Sequence, residues 1–160
     1  MKKTIMGMAL LASTLLVSSA FNETTFSTEP GAIAPLISAS NDSGNVALEK
    51  MRGDYVLLSF WSSDDAQSRI NCNYYAQWAK RHCGSIRHLA FNFDEDIDLF
   101  KEIVAIDALD AANQYNVTGD TASRIIRDYR LNEGFGTLLI GPEGRVIAAN
   151  PELEALNSLS

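Results

Sequence analysis

The chain has 160 residues, a net charge of −7 at neutral pH and two cysteines. This length suits one folded domain with a substantial buried core. The acidic balance argues against nucleic acid and against an anionic membrane surface, because both repel a negatively charged protein. We therefore predict neither of these partners, and we expect no cofactor and no metal ion.

Residues 1–20 have the pattern of a secretory signal peptide. Two lysines near the start precede an apolar run from Ile5 to Val17, and small residues follow up to Ala20. This run is shorter than the roughly 20 residues that a membrane-spanning helix needs. We predict cleavage, no stable membrane insertion afterwards, and export to the periplasm or cell envelope. Residues 21–30 then form a flexible leader and residues 31–160 one domain.

Six segments have the composition of β-strands. Short strands are predicted at Leu36–Ser38 and Asn45–Leu48, on either side of a polar turn. Tyr55–Trp61 is an apolar run rich in Val, Leu and aromatic residues, which is typical of a strand covered on both faces. Ile86–Phe93 is the next predicted strand. The last two predicted strands, Thr137–Ile140 and Arg145–Ala149, form a hairpin that turns at a Gly-Pro-Glu-Gly segment.

Helical periodicity appears between these strands. The first predicted helix runs from Asp64 to Arg81, and we expect it to be apolar over a wide arc, with Ile70 and Tyr74 among the packed side chains. Ser62, three residues before Asp65, resembles the start of a capping box. A second helix is predicted after Asp94–Asp96, which we interpret as a solvated cap. A third is predicted after a cap at Asp120 or Thr121, and a short last helix spans Pro151–Ser158.

The alternation of strands and helices predicts an α/β fold. The first strands of the main sheet are joined by a helical crossover and should be parallel, whereas the last two form an antiparallel hairpin. One further short strand is expected between Asp107 and Gly119. The predicted architecture is a mixed sheet with helices on both faces.

Three features together resemble a known family: an entry turn at Glu29–Pro35, the strand Tyr55–Trp61 running into a helix, and the late hairpin. They are similar to the envelope thioredoxin-like proteins of the TlpA and ResA type, which are redoxin-like thiol-disulfide oxidoreductases. The resemblance covers residues 31–151 and implies a thioredoxin-like fold.

The resemblance places the two active cysteines of the family at Asp65 and Ser68, and its cis-proline at Phe135. All three family residues are absent here. A dithiol oxidoreductase needs a thiolate at the helix N-terminus and a second thiol one turn later to release the mixed disulfide. A carboxylate at Asp65 suits a helix start but cannot exchange with a disulfide. We therefore predict a degenerate active site.

The two cysteines are predicted to be unpaired with each other. On one continuous helix Cys72 and Cys83 lie about 16 Å apart, whereas a disulfide needs Cα atoms within about 7 Å. We interpret Cys72 as a buried core thiol and Cys83 as a free thiol, with a mixed disulfide to another molecule as the alternative for Cys83. His82 and His88 lack the spacing of a zinc site.

The leading hypothesis is a redox-inactive member of the family that binds a peptide or an envelope protein. The alternative is an oxidoreductase that acts through a single cysteine, Cys72 or Cys83. The adjacent carboxylates of the helix start are interpreted as caps rather than as a catalytic pair. The residues predicted to form the binding surface are Trp61, Ser63, Asp64, Asp65, Ser68, Phe135 and Gly136.

Overall fold

The computed structural model describes residues 26–82 and 86–159. The predicted signal peptide, residues 21–25 of the predicted leader and Cys83 lie outside the described residues. Within the described ranges, no helix combines the length and the apolar character that crossing a membrane requires.

The described strands form two sheets. The strands are β1 (Ser38–Asn41), β2 (Gly44–Ala47), β3 (Tyr55–Trp61), β4 (Ile86–Asn92), β5 (Gln114–Asn116), β6 (Thr137–Ile140) and β7 (Val146–Ala149). β1 and β2 form a small hairpin, and the main sheet has the order β5-β4-β3-β6-β7. β3 is parallel to β4 and antiparallel to β6, and β7 is antiparallel to β6. The predicted mixed sheet is confirmed.

Four α-helices are present in the described ranges: α1 (Ala66–Arg81), α2 (Ile97–Ile106), α3 (Gly119–Asp128) and α4 (Leu153–Asn157). Short 3-10 segments lie at Leu48–Met51, Ala111–Asn113 and Leu131–Glu133. The predicted cap of α3 at Asp120 or Thr121 is wrong. The residue before the helix is Thr118, because the chain already turns at Gly119, where φ is 58°.

The central strand β3 is covered on both faces, as its apolar run predicts. Alternate side chains of a strand point to opposite faces, and Val56, Leu58 and Phe60 enter a core closed by α3 and the β1–β2 hairpin. Leu57 and Trp61 point the other way and pack under α1, α2 and α4. The main sheet is therefore the middle layer of a thioredoxin-like α/β domain.

The predicted packing of α1 is wrong along one stripe. Ile70 is 61% exposed and Tyr74 is 52% exposed. The buried positions are Ser68, Cys72, Tyr75 and Trp78, which recur at helical spacing on a single face. Ile70 lies two residues from Ser68, about 200° around the helix, so it faces away from the sheet.

A buried polar seam divides the apolar core beneath α1. The Ser59 hydroxyl lies 3.0 Å from His88 Nε2 and 2.8 Å from Thr137 Oγ1. Along β3 and β4 these polar side chains fall between two apolar clusters, one around Trp61 and the other around Leu57. Burial lowers the pKa of His88 to about 4, so its imidazole is neutral at physiological pH.

Candidate functional site

The junction between β3 and α1 is closed by hydrogen bonds of Asp65 and Ser68, the two residues that the resemblance aligns with the family's dithiol. The Asp65 carboxylate caps α1 by accepting from the Ser68 N–H at 3.0 Å. The Ser68 hydroxyl donates to the Asp65 carbonyl at 2.9 Å and accepts from the Ser62 N–H at 3.3 Å. The helix cap is therefore Asp65 and not Ser62, since the chain is still extended at Asp65 (φ −103°, ψ 92°).

Neither dithiol-equivalent residue offers redox chemistry. Ser68 is buried and its hydroxyl is held within the first turn, while Asp65 is half-buried. A carboxylate and an alcohol cannot form the mixed disulfide through which thiol-disulfide exchange proceeds. The hydrogen-bonded turn satisfies backbone groups that would otherwise be unpaired at a helix start, which gives both residues a structural role.

Asp94 is the hub of the polar network below the junction, and its prediction as a solvated cap is wrong. Its side chain is buried, and its Oδ1 atom accepts from the Ser62 hydroxyl at 2.9 Å, the Ser63 N–H at 2.8 Å and the Ser63 hydroxyl at 3.0 Å. Its Oδ2 atom accepts from the Asn92 side-chain amide at 2.9 Å. The helix cap is instead Asp96, whose carboxylate accepts from the Asp98 and Leu99 N–H groups in the first turn of α2.

Two asparagines extend this network across the sheet. The Asn116 side-chain amide donates to Asn92 Oδ1 at 2.8 Å and to the Asp94 carbonyl at 2.8 Å. The Ser62 hydroxyl also lies against the Asp64 carboxylate, and its single proton can serve only one of the two neighbouring acids at a time. The carboxyl ends of β3, β4 and β5 are thus joined by side-chain hydrogen bonds.

Trp61 lies beneath this network and is fully buried. Its indole N–H donates to Gln114 Oε1 at 3.2 Å, and its ring centroid lies 6.0 Å from that of Phe100. Its side chain has no exposed surface, so burial opposes the predicted role of Trp61 in binding a partner. The same burial opposes the predicted role of Ser68.

The loop before β6 contains Phe135, which the resemblance aligns with the family's cis-proline. Phe135 is half-buried, and its ring stacks on Phe93 with centroids 5.3 Å apart. The Gly136 carbonyl accepts from the Phe60 N–H at 2.9 Å. Every described peptide bond is trans, those of this loop included. An aromatic ring therefore replaces the proline surface expected from the resemblance.

Gly136 has a specific steric role in that loop. A Cβ atom at this position would lie 3.0 Å from Asn150 Oδ1. That oxygen accepts from the Thr137 N–H at 2.9 Å. The absent side chain lets Asn150 fix the start of β6. A groove of about 350 Å³ lies beside this contact, between the loop, Tyr129 and Pro30.

On the other side of the junction, α1 and the end of α2 are linked by an ion pair. Arg69 donates to both carboxylate oxygens of Asp107 at 2.6 Å, and the Asn73 amide donates to the Asp107 carbonyl at 2.9 Å. The hydrogen bonds that Arg69 donates to the Asp107 carboxylate raise the pKa of the guanidinium. The exposed Ile70 borders a groove of about 450 Å³ here, next to Ser63.

Cys72 is buried, as predicted, and is a free thiol. It packs with Trp61 and Phe100, and burial raises the pKa of the thiol to about 12. The thiolate is the nucleophile in exchange reactions, and a pKa far above neutrality leaves almost none of it. These observations oppose the single-cysteine hypothesis for Cys72. Cys83 lies outside the described residues. Among the residues that the structure describes, no cluster of His, Cys, Asp or Glu is suited to a metal ion.

The sheet order, the strand-to-helix junction and the loop before β6 define a thioredoxin-like domain. Among solved structures, the chain is similar to a thioredoxin-like protein from Parabacteroides distasonis ATCC 8503, with 32% identity and a TM-score of 0.70, over 84% of this chain and 96% of that chain. With this identity and coverage, the chain belongs to the family of thioredoxin-like proteins. No protein-family model and no curated protein sequence matches it.

Two further structures support the fold alone. The thioredoxin domain of a thiol-disulfide oxidoreductase from Bacteroides vulgatus gives 20% identity and a TM-score of 0.74, over 84% of this chain and 100% of that chain. StoA from Bacillus subtilis gives 13% identity and a TM-score of 0.60, over 78% and 96% of the two chains. The predicted resemblance to thioredoxin-like thiol-disulfide oxidoreductases is confirmed.

Proposed function

We propose that the protein is an exported, redox-inactive thioredoxin-like domain that binds a peptide or a protein at the junction of β3 and α1. One observation carries the proposal. Asp65 and Ser68 stand at the dithiol-equivalent positions, and both are hydrogen-bonded within the first turn of α1. The junction keeps the geometry of a thioredoxin-like site without a group that can exchange with a disulfide.

The surface available to a partner is smaller than the sequence suggests. With Trp61 and Ser68 buried, the predicted residues that reach solvent are Ser63, Asp64, Asp65, Phe135 and Gly136. Phe93 connects the two sides of this surface through its backbone and its ring. Its N–H donates to the Trp61 carbonyl at 3.1 Å, and its ring stacks under Phe135. A peptide across the junction meets carboxylates on one side and an aromatic ring on the other.

A site-specific crosslink tests the binding proposal. A photo-crosslinking amino acid in place of Asp64 should capture a discrete partner from an envelope extract, whereas the same residue at Asp120, an exposed acid at the start of α3, should not. Affinity for the purified partner should then fall at least about tenfold with Asp64→Lys, since reversing a charge at an interface weakens association. The matched control is Asp120→Lys. Equal weakening by the two variants contradicts the proposed surface.

Export is a separate part of the proposal and is supported by the lysines and apolar run of residues 1–20. Expression of the full chain in a Gram-negative host should give a protein in the periplasmic fraction whose intact mass lacks those residues. An uncleaved chain in the cytoplasm contradicts export and leaves the binding proposal to its own test.

A further inference from the structure

The outer edge of β4 is covered along only part of its length. β5 pairs with Ala90, Phe91 and Asn92, at the carboxyl end of β4. In the described parts of the chain, no strand pairs with the outer edge over residues 86–89. An uncovered strand edge exposes hydrogen-bonding groups that can pair with another chain.

The pattern along β4 identifies the backbone groups that point to its outer edge. The Asn92 carbonyl accepts from the Val117 N–H at 2.9 Å, so the polar groups of Asn92 point outward, away from β3. In a strand this direction repeats every second residue. His88 and Ile86 therefore point their N–H and C=O groups outward as well. Their side chains pack under α1, and their outward backbone groups have no strand partner among the described residues.

A groove of about 740 Å³ runs along this edge. One wall is α1, where Ala76 and Ala79 face the groove, and the opposite wall contains Val46 and Met51. The alanines leave room for side chains of an added strand, and the other wall offers an apolar surface to the alternate side chains. Strand addition normally combines such pockets with main-chain hydrogen bonds.

The charge of the groove differs from that of the whole molecule. Its walls carry Lys80 and Arg87 near one end and Asp110 near the other, in a chain with a net charge of −7. Arg87 pairs with Asp54 at 2.7 Å, but the side chains are 62% and 45% exposed, and such a surface pair is weak. An acidic side chain of a ligand can therefore compete for Arg87.

Two other occupants of the groove fit less well. The first is a segment near the amino terminus of this chain, but the first described residues lie beside β7, at the opposite edge of the sheet. There Phe26 bridges Ile33, and Ile33 bridges Arg145. A second copy paired through the same edge would bring Arg87 close to its own counterpart, and like charges across neighbouring strands are destabilising. An extended segment from another, acidic protein avoids both problems.

We propose that the edge of β4 at residues 86–89 binds an extended acidic peptide of a partner protein by β-strand addition. This site is separate from the proposed junction surface, because it lies along the amino-terminal half of β4, whereas the junction is at the carboxyl ends of the strands. A bound strand pairs with the outward groups of His88 and Ile86, and its acidic residues lie near Lys80 and Arg87.

Amide hydrogen exchange on the full-length mature protein tests this proposal. The probe is a capped hexapeptide, Glu-Val-Thr-Val-Thr-Glu, and the control replaces both glutamates by lysines. In the free protein the His88 amide should exchange at least about 100-fold faster than that of Phe91, which points toward β3. Saturating acidic probe should slow exchange at His88 at least about tenfold, and the lysine peptide should have a clearly smaller effect.

A charge-reversal pair checks the same site. Lys80→Glu should abolish the preference for the acidic probe. The control is Lys101→Glu, which replaces an exposed lysine on α2 and should leave the preference unchanged. Any of three results overturns the proposal: a His88 amide already as protected as Phe91 in the free protein, equal effects of the two peptides, or dimerisation that protects the edge instead. Loss of junction binding leaves this result untouched, because the two surfaces do not overlap.

Discussion

The buried imidazole of His88 should make the stability of the domain depend on pH. Burial lowers its pKa from 6.5 to about 4 in the folded state. In the unfolded chain the pKa returns to its ordinary value, so below pH 6.5 the unfolded state binds the proton first. The stabilisation is fully present above pH 6.5 and is lost as the pH falls toward 4.

The size of this effect follows from the two pKa values. One pH unit between them corresponds to about 1.4 kcal/mol. Lowering the pH from 8 to 5 should therefore reduce the free energy of unfolding by about 2 kcal/mol through this residue alone. The variant His88→Gln removes the titrating group and keeps an amide near the Ser59 hydroxyl, which His88 contacts at 3.0 Å.

The assay is urea unfolding at pH 8, 6.5 and 5 at constant ionic strength. The difference in unfolding free energy between wild type and His88→Gln should shift by about 2 kcal/mol against the wild type between pH 8 and 5. The control is His82→Gln, which replaces the histidine that stacks on Trp78. This variant should lose the same unfolding free energy through His88 between pH 8 and 5 as the wild type does. Two results would refute the reasoning: a difference in unfolding free energy between wild type and His88→Gln that stays constant with pH, or a His88 pKa near 6.5 measured by NMR.

Three other predictions concern the junction and its support. Asp94→Ala should lower the free energy of unfolding by about 2 kcal/mol in urea, since the Ser63 N–H, the Ser63 hydroxyl and the Asn92 side-chain amide lose their acceptor; a loss no larger than that of Glu95→Ala contradicts the buried hub. Arg69→Met should cost about 1 kcal/mol, measured the same way, because its pair with Asp107 is partly exposed. The Cys72 thiol should react with a maleimide only after unfolding, and rapid labelling of the native protein would contradict its burial.

The main sheet could be predicted because its strands have strong local signals. The apolar run of β3 indicates burial on both faces, and the Gly-Pro-Glu-Gly segment marks the turn between β6 and β7. Parallel pairing of β3 with β4 follows from the helix between them, because crossover connections join parallel strands. These elements are set by short-range patterns, so little tertiary information was needed.

The residues that the sequence misplaced depend on tertiary neighbours. Asp94 begins an acidic run that resembles a helix cap, and only the parallel pairing of β3 and β4 brings it beside Ser62 and Ser63. The rule that strand carboxyl ends meet at one edge could have indicated this contact. Ile70 was misplaced because α1 has two apolar stripes, and the position of the sheet decides which of them is buried.

Insulin reduction by the purified protein tests the central claim most directly. Thioredoxin is the positive control, and the double variant Asp65→Cys/Ser68→Cys tests whether restored thiols in the same turn bring back turnover. The account predicts wild-type turnover at background level and measurable turnover in the double variant. Wild-type turnover comparable to that of thioredoxin, lost on replacing Cys72 or Cys83 by serine, would contradict a redox-inactive domain.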